Sequence, residues 1–516
     1  KDAKNRPVET YVLDLQDRVT SVTNLEAQTM GESYGVASFV KSVTRFDGTL
    51  VSNSYNGNGL VSSVTYPDST NSFTYYSNSI MKTAANEQGT VSNEVNFANR
   101  LSSALSVVGG LSSVVSYVYW PAGQVSNVVS LAGTNSYALD DADRLSSLSA
   151  LRSQLSAPLT FNYSYSSNNG LVSGATCTNT GVFAQYGFDV MDRVTNIAWK
   201  TASSNVLRSF AYQYNNASMI TNIALEDSSS LAYSYDDIDR LTGEARSGSN
   251  SYAASYSWDE VGNRLTKTNG DASVSYVYSN GCNRLTGWIA SSTNSFADAS
   301  RVDVSGFSME YIGTNQWLGQ LYISNAVSGT KSTPSVSGSN FTANTFLLAS
   351  GSNQIVAAIG DAAGNVGYTT NVVISQIATN GAYLYSAAGC VTNIAYSGAG
   401  FSQNIELAWN GQYQLSSVFT NGGLVEANAY DAFGRRVFCS SRTEGGSFET
   451  NYMVYDGAHV LAEVDSTGGL KRAYTHGPGI DNWLAMTVYT GATVRTYYYL
   501  TDVQGTVHAV ADETGT

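Results

Sequence analysis

A pair of bulky, mostly aromatic residues separated by one position returns along this chain every 20 to 26 residues, and few folds accommodate such a period. The second member of the pair falls at Tyr119, Leu139, Tyr165, Phe188, Tyr214, Tyr235, Trp258 and Tyr278. The series runs backwards through Phe97, Tyr75, Tyr55, Tyr34 and Leu13, and it resumes at Tyr385, Trp409, Tyr430 and Tyr455. Residues two apart on an extended strand share a face, so each pair predicts an aromatic strand face. An Asp-rich turn and then Arg follow in the clearest copies. Examples are Tyr235-Asp236-Asp237-Ile238-Asp239-Arg240 and Phe188-Asp189-Val190-Met191-Asp192-Arg193. Others are Trp258-Asp259-Glu260-Val261-Gly262-Asn263-Arg264 and Tyr430-Asp431-Ala432-Phe433-Gly434-Arg435. Asp, Asn and Gly suit such turns because they tolerate positive φ or bond their own backbone. Each unit therefore reads as strand, turn, strand, and the whole as an array of hairpins. From Phe97 to Tyr235 the turns with Arg100, Arg144, Arg193 and Arg240 alternate with Arg-less turns after Tyr119, Tyr165 and Tyr214. The period there is a pair of hairpins.

Composition agrees with an all-β chain. Only 13% of residues are charged, against about 25% in an average soluble protein. Tyr numbers 35, Gly 47 and Pro 6 in 516 residues, a balance that suits pleated surfaces and tight turns. A net charge of −14 with no basic run excludes nucleic acid as the expected partner. No apolar run reaches the ~18 residues that span a bilayer, so no membrane span is expected. The polar start, Lys1 to Pro7, lacks a signal core, which suggests a mature product or a fragment whose export signal lies elsewhere. Cys177, Cys282, Cys390 and Cys439 are far apart and lack metal-site spacing. They read as buried thiols, with one disulfide as the alternative.

The repeated segments resemble the YD repeats of rearrangement-hotspot (Rhs) and wall-associated proteins, found also in teneurins. The C-terminal strings Tyr455-Asp456-Gly457, Ala462-Glu463-Val464-Asp465, Tyr474-Thr475-His476-Gly477-Pro478-Gly479 and Tyr497-Tyr498-Tyr499-Leu500-Thr501-Asp502-Val503-Gln504-Gly505 are similar to the Rhs-associated core. One such unit is a weak signal; a dozen in register with the core strings is a specific one. The resemblance implies a long antiparallel ribbon spiralling into a hollow shell, secreted or at the cell surface, which in toxin systems encloses a C-terminal cargo. On this reading residues 1–299 and 377–450 are shell repeats and 451–516 a core-like segment. Toxin-bearing relatives place an autoprocessing aspartate pair beyond the core; this chain has no Asp-Pro dipeptide, so those residues and any cargo are not assigned here.

Between Ala299 and Gln376 the aromatic rhythm fails. The alternation from Gln354 to Ile359, the turn Asp361-Ala362-Ala363-Gly364-Asn365 and the run Thr369 to Ile374 fit an immunoglobulin-like sandwich over 300–376. A stretch of degenerate repeats is the alternative. As an insert it would hinge at Ser292–Phe296 and Gln376–Asn380.

Acidic groups recur as Asp14/Asp17, Asp140/Asp141/Asp143, Asp189/Asp192 and Asp236/Asp237/Asp239. Two carboxylates suit sugar hydrolysis or calcium. Recurrence at successive copies, with Arg beside each, favours a structural turn with an Arg–carboxylate clamp at Arg144, Arg193, Arg240 and Arg435. Gly31-Glu32-Ser33-Tyr34-Gly35 fits the G-x-S-x-G pattern but lacks the apolar strand and the helix that the motif requires. His459, His476 and His508 lack H-E-x-x-H spacing. The residues offer no catalytic site, cofactor site or metal site. Expected partners are an enclosed cargo domain or further chain of the same polypeptide, end-to-end self-association, and, for an adhesin or fibre as the alternative function, a glycan or cell-surface partner. The first unit, at Tyr11, and the last turn, at Asp512, show no cap, and the expectation is that their edges are covered by further chain or another copy.

Overall fold

The computed structural model describes residues 9–292 and 380–512 apart from 25, 180, 249–250, 271, 280–282, 399–400, 444, 480–481 and 492, and, between them, the backbone of seven strand segments within 301–375. One antiparallel sheet of 38 strands carries the repeats. Each strand pairs with the strands before and after it in sequence, from Glu9–Leu13 to Val507–Ala511. The order is interrupted once. Leu285–Ser292 pairs directly with Asn380–Tyr385, so the intervening chain leaves and rejoins the ribbon at neighbouring strands. That intervening chain forms two small sheets of three and four strands. In the larger, Gly351–Gly360 pairs with Val366–Ser375. The turn at 361–365 and the expected hinges at 293–296 and 376–379 lie outside the described residues.

The hairpin turns at one edge of the ribbon follow a single scheme. At Asp236 the backbone N–H bonds Arg240 O at 2.9 Å, and Asp239 N–H returns to Asp236 O at 3.0 Å. Asp239 has a φ of +63°, and the strand partners slip by one residue at Tyr235. This is a three-residue loop closed by a bulge, which requires a left-handed residue at its fourth position. Asp17, Asn99, Asp143, Asp192, Gly262 and Gly434 occupy that position elsewhere, all with positive φ. The second aspartate of each supposed pair is therefore a backbone device.

Register fixes the faces. Tyr233, Tyr235, Tyr256, Trp258, Tyr276 and Tyr278 lie on one face, since Tyr233 opposes Glu244, Glu244 opposes Ala254, and Tyr256 opposes Lys267, which opposes Val274. The aromatics stand on every second strand, so they are not direct cross-strand partners. In the stretches 70–86 and 252–269 the other face carries small polar residues: Thr74 bonds Thr83 and Ser257 bonds Thr266, each at 2.6 Å. Phe97 departs from the expected pattern. Val95 ends the strand, Asn96 opens the turn, and Phe97 projects fully exposed from it.

The ribbon coils past one full turn. Gln28, between the second and third strands, bonds Ala387 O, between the twenty-seventh and twenty-eighth, a lag of twenty-five strands. Trp199 on the eighteenth strand bonds Thr501 O on the thirty-seventh, a lag of nineteen. At ~4.8 Å per strand one turn shortens from about 120 Å to about 90 Å, a diameter falling from about 40 Å to about 30 Å. The expected ribbon was long enough to coil; it also winds inward. The accessible surface, 27402 Å² for 54.9 kDa, exceeds the ~18,000 Å² of a compact globule of this mass. A single curled layer accounts for the excess.

Candidate functional site: the aromatic ladder and the seam

The residues singled out by sequence form a continuous ladder along the turn edge. Asp236 Oδ1 accepts the N–H groups of Ile238 and Arg240, and its Oδ2 accepts Arg240 Nε at 2.7 Å. Asp140, Asp189 and Asp431 accept the same three bonds, one from the N–H of Ala142, Met191 or Phe433 and two from Arg144, Arg193 or Arg435. The guanidinium of Arg144 beside Asp140 holds its carboxyl below the usual carboxylate range; for Asp236 the first cause is the Arg240 N–H. Each Arg then reaches forward. Arg193 bonds Asn215 O, Arg240 bonds Asp259 O, and Arg435 bonds Gly457 O.

Arg264 breaks the pattern. At Asp259 the clamp position belongs to Asn263, and Arg264, one residue later, instead bonds Tyr276 Oη and lies 4.4 Å from that ring.

The alternation of Arg-bearing and Arg-less turns has a geometric cause. Arg100, Arg144 and Arg193 lie 5.6, 4.2 and 4.7 Å from the ring centroids of Tyr119, Tyr165 and Tyr214, the aromatics of the Arg-less units that follow. In Arg144 and Arg193 one guanidinium thus serves two hairpins, by a carboxylate bond and a cation–π contact. The turn of Arg100 opens with Asn96, which offers no carboxylate, and Arg100 makes the ring contact. The Arg-less turn at Asn215 keeps the scheme with an amide, whose Oδ1 accepts from Ala217 and Met219.

The aromatic tips complete the ladder. Tyr235 Oη donates to Ile220 O at 2.7 Å, at the start of the preceding strand. Tyr55, Tyr119, Tyr165, Tyr214, Tyr385, Tyr430 and Tyr455 repeat this bond, and Trp258 and Trp409 make it through Nε1. Phe188 has no donor to offer. At the corresponding place His476 Nε2 bonds Val460 O at 2.8 Å.

Where the coil overlaps itself lies a seam that sequence reasoning did not locate. Asn86 bonds Tyr430 O, Tyr117 Oη bonds Asp456, Arg152 bonds Tyr474 O and Thr475, and Tyr212 Oη accepts from Val503 N–H. The buried clusters sit here. Leu148, Phe161 and Cys177 pack with Ala485 and Tyr498; Val115 and Val128 with Val454, Ala462 and Ala473; Phe210 and Tyr212 with Leu500 and Ala511. In each cluster the first-pass residues belong to the aromatic face and the second-pass residues named here to the opposite face. Since the turn also shortens along the chain, the second pass lies inside the first, and the aromatic face is the concave one. A cleft of about 410 Å³, lined by Val91, Leu101, Val115, Tyr117, Phe433 and Tyr455, interrupts the seam.

The other proposed chemistry is placed plainly. Ser33 lies within the strand Thr29–Tyr34 and its hydroxyl bonds Ser42 Oγ. Cys177 and Cys439 are buried free thiols, Cys390 is free and half-buried, and Cys282 lies outside the described residues. Among the described residues no three His, Cys, Asp or Glu groups converge as metal ligands, and no helix is long and apolar enough to cross a membrane.

No family model and no curated protein matches the chain. Solved structures do. Two chains described as TcdB2-TccC3, one with TEV and one with Cdc42, align at 12% identity with TM-scores of 0.44 and 0.43, covering 98% and 100% of this chain. A Tc holotoxin pore structure from Photorhabdus luminescens aligns at 12% identity, TM-score 0.43. This chain spans about 30% of the length of the first two.

Proposed function

We propose that the chain is a non-enzymatic, extracellular YD-type scaffold forming part of a shell around a cargo. The observation that carries this reading is the nesting of the second pass inside the first, with the aromatic face concave. A ribbon so wound encloses space: its buried clusters line the seam, and its concave wall stays half-covered. The recurring carboxylates are spent on turns and guanidinium clamps, which supports a structural role for them. The two small sheets within 301–375 fit a separate sandwich carried on the ribbon, because the flanking strands pair directly with each other. A surface-binding role is the second reading. It is favoured by Leu105, Val114, Val118, Val129 and Leu151, all exposed on the convex face, with Leu105 directly opposite Val114.

Selective labelling tests the enclosure. Tyr256→Cys faces the lumen and Ser257→Cys faces outward. A small maleimide should modify both, whereas a polyethylene-glycol maleimide wider than the coil should modify only the second. Equal modification of both by the wide reagent would overturn the shell reading.

A further inference from the structure

We propose that His476 makes the inner pass of the coil acid-responsive, so that its protonation loosens the seam where His459–Val464, Leu470–His476 and Trp483–Thr490 lie against the first pass. Among the described residues it is the imidazole in a ladder otherwise made by Tyr hydroxyls and Trp indoles, which do not change charge between pH 5 and 8. The proposal concerns the seam itself and rests on the enclosure reading only for what the loosening would release.

The geometry fits one protonation state. Since Val460 O can only accept, Nε2 carries the proton and Nδ1 is the unprotonated nitrogen. Nδ1 is buried and has no hydrogen-bond partner. Adding a proton there creates a second N–H with no acceptor beside it, and a buried donor left unmade is costly.

The surrounding charges oppose that proton. On the concave side the His459 ring lies 4.8 Å away and Trp483 4.4 Å away. Arg152 of the first pass bonds Tyr474 O and Thr475 of the same strand, and it is buried at 3% exposure. Its own setting is already strained for a cation: Nε lacks a partner, and burial pulls its pKa down to about 10. Tyr137 and Tyr489 face Arg152. Asp456 is the carboxylate within range of His476, and Tyr117 Oη occupies its Oδ1 at 2.7 Å. Glu463, further along the concave face, is engaged by Arg472 and Tyr474. A proton on His476 would therefore add a second cation near buried Arg152, with Asp456 as the carboxylate in range.

Burial is the first cause that holds the His476 pKa below its ordinary 6.5, and His459 and Arg152 push the same way, against the Val460 bond and Asp456. The sign follows. A depressed folded value means this stability is present above the ordinary value and is lost as pH falls toward and through the lower folded value. The seam strands should therefore open severalfold more often on acidification.

Hydrogen exchange between about pH 7.5 and about pH 5, corrected for intrinsic rates, reads this. Amides of His459–Val464 and Leu470–His476 should lose protection on acidification, while those of Ser230–Tyr235 should not. His476→Tyr restores the ladder's common donor and should abolish the difference. Unchanged protection in the native chain, or the same loss in His476→Tyr, would overturn the proposal. Should that variant fail to fold, an NMR titration of His476 in the native chain decides: a pKa at or above 6.5 also overturns it. Opening of the seam without exposure of the concave face to the wide maleimide would leave this inference standing and count against the enclosure.

Discussion

Two stretches of the same ribbon, Leu50–Asn86 and Val454–Leu500, share turns and pairing but differ on the convex face. In the first, that face carries Ser52, Ser63, Ser72, Thr74 and Thr83, with Ser72 and Thr74 exposed. In the second it carries Val454, Ala462, Ala473, Ala485, Tyr498 and Leu500, all buried beneath the first pass. The concave pattern makes a ribbon; the convex pattern decides whether another layer lies over it. Apolar burial, worth ~25 cal/mol per Å², is thus concentrated at the seam, while the free stretches rely on pairing and the ladder.

The comparison is broken most strongly by removing a seam side chain. Phe210, 2% exposed, packs with Leu500 and Ala511 across the seam. Phe210→Ala should cost about 3–5 kcal/mol in chemical denaturation and should release the second pass first. Next, Ala473→Asp would bury an unpaired charge among Val115, Val128 and Ala462. Proteolysis after Leu470 should then accelerate while cleavage near Tyr55 stays unchanged; equal acceleration at both would mean the passes unfold as one unit. A smaller effect is expected on the ladder. Tyr235→Phe removes one bond to Ile220 O from a half-buried ring and should cost about 1 kcal/mol. The smallest belongs to the free convex face. Ser257→Val should change stability by no more than about 0.5 kcal/mol, because both rotamer space and water remain available there.

Much of this was legible in the sequence because its determinants are local. Tyr233 and Tyr235 share a face by spacing alone, and Asp236 with Arg240 marks a turn that the backbone builds as expected. Phe97 was misassigned because Asn96 opens its turn, and an aromatic in a turn looks the same as one on a strand until register is known. Arg264 was read as one more arginine closing an Asp turn, because Asn263 was not recognised as the residue that clamps Asp259. The seam was not legible, because its partners lie some 300 residues apart. A local signal existed nonetheless. Tyr497-Tyr498-Tyr499-Leu500 and Trp483-Leu484-Ala485-Met486 abandon alternation, and a strand apolar on both faces is a strand covered on both. His459 and His476 likewise looked unrelated at a separation that only strand pairing brings to contact.

The central claim is that the ribbon winds inside itself, and the chain's three histidines make it testable at one contact. The rings of Phe210 and His508 lie 4.7 Å apart, yet along an unwound sheet they would be separated by nineteen strands, about 90 Å. With histidine and phenylalanine selectively labelled for NMR, the wound ribbon requires a cross-peak between these two rings that disappears in Phe210→Ala. A His508 ring with no cross-peak to any phenylalanine, in a chain whose sheet is otherwise intact, would contradict the account.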